Sequence, residues 1–314
     1  MKNKKVIITG GAGFIGSNLA SALSKDNEVV IIDNIISGKM ENISAMIKNE
    51  LVSFVKGSVT HIDMLKRTFE GADYVFHLAA IPSVIKSVEN PILTTEVNLT
   101  GTINVLIASV ENQVKKVVYA SSAAVYGNID TLPLKEDLSL SPKSPYGAQK
   151  LGSEHYCRVF YEVYGQATTS LRFFNVYGPN QDPESEYSGV IPIFISNLIK
   201  DKPVIIYGDG NQTRDFIFVH DVVQANILAA ENTASSGKSI NIACGNEISI
   251  NYLASKIIEL MGVKRELKHV KAREGEIFRS LADITLAKQL LNFEPKYSLK
   301  KGLSLTIEYF SKNI

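Results

Sequence analysis

Cysteine is nearly absent: Cys157 and Cys244 are the only two in 314 residues. They have no metal-ligand spacing and read as reduced packing residues of a cytoplasmic protein. An excess of one charge is missing as well, with 33 Lys+Arg against 32 Asp+Glu and a formal net charge of +1. With no basic stripe, that balance argues against nucleic acid as a partner. No apolar run approaches the ~18–20 residues of a membrane span. The opening run, Lys5 to Thr9, is too short for a signal peptide. Internal repeats and low-complexity segments are lacking too. What remains is ordinary globular composition, 45% hydrophobic and 21% charged. The chain is long enough for one large α/β domain with an appended lobe, or for two domains.

That first run leads straight into Gly10-Gly11-Ala12-Gly13-Phe14-Ile15-Gly16 and then a helical pattern. Gly10, Gly13 and Gly16 form G-x-x-G-x-x-G, a variant of the dinucleotide fingerprint: a tight turn, close approach to a pyrophosphate and close helix–strand packing. The phosphates belong on the helix N-terminus. A second apolar run from Glu28 to Ile32 ends in Asp33, the expected distance on for a carboxylate that bonds an adenosine ribose. That carboxylate repels a 2′-phosphate and so selects NAD over NADP.

The second informative stretch is 119–150. Lys116 to Ala120 reads as a buried strand that delivers Ser121 and Ser122 at its C-terminal end, where ligands of open α/β sheets sit. Ser144-Pro145 reads as an N-cap followed by proline in the first helical turn. Tyr146 and Lys150 then lie one turn apart on one face. A free phenol has a pKa of roughly 10. The positive helix end and the ammonium are expected to lower that of Tyr146. In an extended strand Ser121 points away from Ser122.

Further strands are expected at 51–55, 73–80 and 168–174, with helices from about 94 to 111 and from 146 to about 164. Alternation of this kind predicts a doubly wound parallel (Rossmann) sheet, α/β in class, with right-handed crossovers. From Asn175 to Pro183 the chain reads as loop. A helix near 190–199, a strand at 203–207, a Gly208-Asp209-Gly210 turn and an apolar run at 214–219 follow. The helix opened by His220-Asp221 and the strand 239–243 are expected to return to the sheet. The division is 1–174 plus about 218–245 for the dinucleotide domain, and 175–217 plus about 246–314 for a smaller α/β substrate lobe. His77 and His220 have no metal partner and read as structural; no metal site is expected.

Taken together, the glycine turn with Asp33 and the Ser122, Tyr146, Lys150 set resemble the extended short-chain dehydrogenase/reductase superfamily over nearly the whole chain. Within it, the chain is most similar to the NAD-dependent UDP-hexose 4-epimerases. The resemblance implies catalytic roles for Ser122, Tyr146 and Lys150. It implies NAD contacts at Gly10, Gly13, Phe14, Ile15, Gly16, Asp33, Asn34, Leu78, Ala79, Ala80, Asn98, Ser121, Tyr146, Lys150 and Phe173. For a UDP-sugar it implies Ser83, Ser122, Tyr146, Asn175, Tyr207, Arg214, Arg273, Glu276 and Ser280. Glu276 stands where the family usually has aspartate, and Ser58 where relatives often have an acid near the adenine.

Two further implications concern the reaction. Related 4,6-dehydratases carry Asp-Glu directly after the serine, and decarboxylases a glutamate, for an extra proton transfer. Here Ala123-Ala124 stand instead, and 4-epimerisation needs no such acid. Ser280 occupies the family position beside the sugar C2 substituent, where a serine leaves room for an acetamido group. The expected substrates are UDP-GlcNAc and UDP-GalNAc, with UDP-Glc and UDP-Gal also admitted. Alternatives are another nucleotide-sugar oxidoreductase or epimerase, or a non-catalytic dinucleotide-binding scaffold. A homodimer through helices near 94–111 and 146–164 is expected by the same resemblance.

Overall fold

A computed structural model describes residues 1–185, 188–272 and 277–313. In chain order the first half runs β1 Lys5–Thr9, α1 Phe14–Leu23, β2 Glu28–Asp33, β3 Val52–Lys56, α2 Ile62–Thr68, β4 Tyr74–His77, α3 Val84–Glu89, α4 Pro91–Thr95, α5 Gly101–Glu111, β5 Lys116–Ser122, α6 Pro145–Tyr164 and β6 Thr168–Phe173. The rest comprises β7 Asn175–Tyr177, α7 Val190–Ile199, β8 Val204–Tyr207, β9 Thr213–Arg214, β10 Phe216–Phe218, α8 Val219–Glu231, β11 Lys238–Ile242, β12 Ile248–Ser249, α9 Ile250–Met261, β13 Leu267–Val270, α10 Thr285–Leu291 and α11 Leu299–Asn313.

Seven strands make one parallel sheet in the order β11-β6-β5-β4-β1-β2-β3. Alternation along each strand feeds two cores. Val6, Ile8, Val29 and Ile31 pack with α1, α8 and α10. Ile7, Val30 and Ile32 pack with residues of α2, α5 and α6 on the opposite face. The strand order reverses between β1 and β4, which opens a crevice at the C-terminal ends of β1, β4, β5 and β6. Helix α8 packs on α1, and β11 extends the sheet beside β6. A third core joins α7, α9, α11, β8 and β10, and beside it two-stranded sheets pair β10 with β7, β12 with β9 and β13 with β8.

Three local expectations change. The helix expected from 94 starts at Pro91, capped by Asn90, whose side chain accepts from Leu93 N. It then passes through a π-helical turn, Glu96–Thr100, before α5. Helix α3, unforeseen, is capped by Ser83, which accepts from Lys86 N. Asn175–Tyr177, read as loop, is a strand paired in parallel with Phe216–Phe218; no local signal predicts pairing across that separation. Helix α6 begins as expected: Ser144 caps it by accepting from Gly147 N, Pro145 follows, and Gly165 ends it at φ 70°. Among the described residues no helix is long and apolar enough to cross a membrane.

Candidate active site

The crevice begins at the glycine turn. Gly10 has φ 72°, and a Cβ there would come within 2.6 Å of Ala79 N. A Cβ on Gly16 would come within 2.2 Å of Gly10 O, so the turn and helix α1 touch backbone to backbone. Helix α1 has Gly13 at its N-cap and no side-chain cap, leaving its first N–H groups for an anion. At the end of β2, Asp33 accepts from Ala12 N at 3.0 Å and Ile35 N at 2.8 Å. Its carboxylate is thereby held against the turn, where a ribose would lie. Asn34 Oδ1 accepts from Ile36 N at 3.2 Å. These features fit a dinucleotide: a cradle closed to any Cβ, an uncapped helix end and an oriented acid.

Across the crevice, β5 ends at Ser122. Its Oγ caps the turn that follows, accepting from Ala124 N at 3.2 Å. The same hydroxyl is near enough to the Tyr146 phenol to lower its proton affinity. Lys150 is buried; its Nζ donates to Ala120 O at 2.7 Å and lies 5.8 Å from the Tyr146 ring centroid and 4.9 Å from that of Tyr119. The three side chains therefore converge. Their proton affinities reverse the expectation for the phenol. Burial pushes Tyr146 up to about 12, opposed by the Ser122 hydrogen bond, and burial brings Lys150 down to about 8. Desolvation of both groups, a property of the folded site, outweighs the favourable ammonium.

The other expected contact residues have partners within the protein. Ser121 donates its hydroxyl to Glu154 Oε1. Glu154 is held bidentately by Arg172, with Nη2 to Oε2 at 2.8 Å and both side chains 4% exposed. Asn98, expected at the cofactor, is buried in the π-helical turn. It accepts from Ile81 N at 2.7 Å and donates to Ile81 O and to Gln149 Oε1 at 2.8 Å. It thus fixes the segment after β4, whose Leu78 and Ala79 backbone lies against Gly10. Phe173 is buried at the end of β6, in the sheet core. Ser83 is buried as the cap of α3, and Ser87 Oγ accepts from Tyr146 N at 3.0 Å. His77 is buried between Thr9 Oγ1 and Thr102 Oγ1, at 2.7 and 3.0 Å. His220 packs against Phe218 and Tyr297. Neither histidine belongs to a metal-binding cluster among the described residues.

Asn175, Tyr207 and Arg214, distant in sequence, line one cavity of about 380 Å³ beside α7. Ser280, 9% exposed, lies on a firmly held segment. Thr213 N donates to Phe278 O at 2.9 Å and Leu134 N to Leu281 O at 2.8 Å. Arg279 pairs bidentately with Glu247 at 2.8 and 2.7 Å. Ala282 N donates to Asp215 Oδ2 at 3.2 Å. Asp215 also accepts from Cys244 N and Gly245 N, and burial pushes its carboxyl up to about 6. Arg273 and Glu276 lie outside the described residues. Sequence reasoning missed Gln149, Glu154, Arg172 and Asp215. A charge inside a buried strand run, as at Arg172, is a signal that a buried partner exists, although it does not say which.

The model of the NAD dependent epimerase/dehydratase family matches residues 6–243. The chain belongs to that family. NAD is accordingly its cofactor. It is 39% identical over 311 residues to a putative UDP-glucose 4-epimerase of Methanocaldococcus jannaschii, covering 98% of this chain and 99% of the relative. A UDP-N-acetylglucosamine 4-epimerase from Methanobrevibacter ruminantium, solved with UDP-N-acetylmuramic acid, superposes with TM-score 0.96 at 41% identity over 100% of both chains. A UDP-glucose 4-epimerase from Thermotoga maritima, solved with UDP-glucose, gives TM-score 0.92 at 38% identity, covering 98% of this chain and 99% of that one.

Proposed function

We propose that this chain is a UDP-sugar 4-epimerase acting on the N-acetylated pair UDP-GlcNAc and UDP-GalNAc, and also admitting UDP-Glc and UDP-Gal. The observation that carries the reaction type is the Ser122, Tyr146, Lys150 cluster with no carboxylate in the turn after it. That turn is Ala123–Val125, and the nearby Glu154 is neutralised by Arg172. Elimination or decarboxylation needs a further acid there. The names of the relatives support the same reading.

Bound NAD supplies reversible hydride acceptance, in oxidised form at the start and end of each turnover. The chain supplies the rest. Tyr146 takes the proton of the sugar 4-hydroxyl and later returns it, with Ser122 passing the hydrogen bond between phenol and substrate oxygen. Lys150 favours the phenolate electrostatically. The cavity holding Asn175, Tyr207 and Arg214 takes the nucleotide, and the Arg214 guanidinium suits a diphosphate. Arg273 is proposed as a second grip on that diphosphate, with Glu276 beside it. Asp33 takes the adenosine ribose.

Ser280 is the proposed substrate gate. A small side chain on a rigid wall leaves volume for an acetamido group, and packed sites tolerate little added volume. NMR of purified protein with each UDP-sugar and no added NAD tests the reading. Interconversion at C4 is expected, and turnover that requires added NADH or NADPH and consumes it would refute it. Ser280→Tyr is expected to abolish turnover of the N-acetylated pair while sparing the plain pair; undiminished N-acetyl turnover would remove Ser280 as the gate.

Self-association into a homodimer is part of the same proposal. On α6, Tyr156, Val159 and Val163 are exposed at helical spacing, and Val88 of α3 and Ile92 of α4, helices that pack on α6, are exposed as well. Light scattering on the purified protein reads this directly, and a monomer at micromolar concentration would refute it.

A further inference from the structure

Buried polar atoms nearly always have a hydrogen-bond partner, so each exception asks for an explanation. Among the described residues four buried side-chain atoms have none: Tyr119 Oη, Gln181 Oε1, Ser188 Oγ and Asn226 Oδ1. Two of the four, on Gln181 and Ser188, belong to residues lining the cavity that holds Asn175, Tyr207 and Arg214. Gln181 sits on a segment tied down on both sides. Asn18 Nδ2 donates to Pro179 O and Asn180 Nδ2 to Ser17 Oγ, each at 2.9 Å. Asp182 pairs with Lys39 at 2.8 Å. The backbone on either side of Gln181 is thus pinned to the dinucleotide helix and the loop after β2, which limits how far its amide can move to find a partner in the protein.

The chemistry of the unpaired atoms restricts the occupant. An amide oxygen only accepts, so a phosphate oxygen cannot answer Gln181 Oε1. A uridine can, through its ring N3–H or its ribose hydroxyls. Ser122, Tyr146 and Ser83 are absent from the cavity lining, so the reacting end of the hexose lies elsewhere. We propose that Gln181 and Ser188 are substrate-binding residues that hold the uridine portion of the nucleotide, with Gln181 Oε1 accepting from uridine and the Ser188 hydroxyl completing its hydrogen bonds there. This rests on the UDP-sugar reading above and names two contacts beyond it.

Calorimetric titration of the NAD-loaded protein tests it, with UDP, UMP and inorganic pyrophosphate as probes against wild type, Gln181→Leu and Ser188→Ala. Loss of one such hydrogen bond is expected to weaken UDP and UMP about 5- to 10-fold in each variant. In Gln181→Leu, pyrophosphate is expected to bind as to wild type, and unchanged NAD content and melting temperature serve as the folding control. Unchanged UDP affinity in both variants overturns the inference and leaves buried water as the partner of these atoms. An equal loss for pyrophosphate in Gln181→Leu overturns the uridine assignment. Failure of wild type to bind UDP at all counts instead against the UDP-sugar reading.

Discussion

Replacing Lys150 with methionine removes one charge and keeps nearly the same volume beside Tyr146. The lysine Nζ stands 5.8 Å from the phenol ring centroid in a buried site. Two unit charges about 6 Å apart at an effective dielectric near 20 interact by ~3 kcal/mol, roughly two pKa units. The working form of the pair has lost one proton and keeps the other on the ammonium, beside phenolate. Its population rises as the pH approaches about 8, where Lys150 gives up its proton, and then levels off. Without Lys150 the phenol titrates by itself, pushed up to about 12. Lys150→Met is therefore expected to lose about 10²-fold in kcat at pH 7. Its profile should keep climbing about tenfold per pH unit through pH 10, where wild type is flat. The assay is single-turnover epimerisation from pH 6 to 10 on NAD-loaded protein, so the cofactor's charge is common to both. NAD retention monitors the Ala120 carbonyl that the variant leaves unpaired. A loss below about fivefold at pH 7, or an unshifted plateau, would refute the electrostatic role.

Three other expectations can be measured directly. Tyr146→Phe should bind UDP and NAD but lose at least ~10²-fold in turnover, the lower range for a general acid–base group; near-normal turnover would sink the mechanism. Glu154→Gln leaves Arg172 as an uncompensated charge in a site where both partners are 4% exposed. It should cost ~3–5 kcal/mol in urea unfolding, with the double variant Glu154→Leu, Arg172→Met recovering most of that; a cost under about 1 kcal/mol would contradict the buried-pair account. Burial brings His77 down to about 3 from its ordinary 6.5. The unfolded chain therefore binds the extra proton first on acidification. This histidine's contribution is fully present above about 6.5 and is lost as the pH falls toward 3. His77→Gln should flatten the fall of the melting temperature between pH 6.5 and 4.5, and an equally steep fall would refute it.

Much of the candidate site was legible because its determinants are local. A strand, three glycines and an acid at the end of the next strand lie within residues 5–33, and each is required by backbone geometry that neighbours in sequence dictate. Ser144 and Pro145 start a helix by capping chemistry, and that start alone puts Tyr146 and Lys150 on one face. Periodicity likewise predicted the parallel sheet and the helices covering it. Other features depended on contacts between distant segments. Asn175–Tyr177 became a strand only because Phe216–Phe218 lies beside it. The partners of Asn98, Ile81 and Gln149, lie 17 and 51 residues away, and no local pattern names them. The Tyr146 proton affinity went the opposite way because burial, a property of the whole fold, outweighs a charge one turn away. Spacing along the chain determines which groups share a face. Desolvation, long-range pairing and the partners of buried charges such as Arg172 are decided when remote segments close over them, and only tertiary structure holds that information.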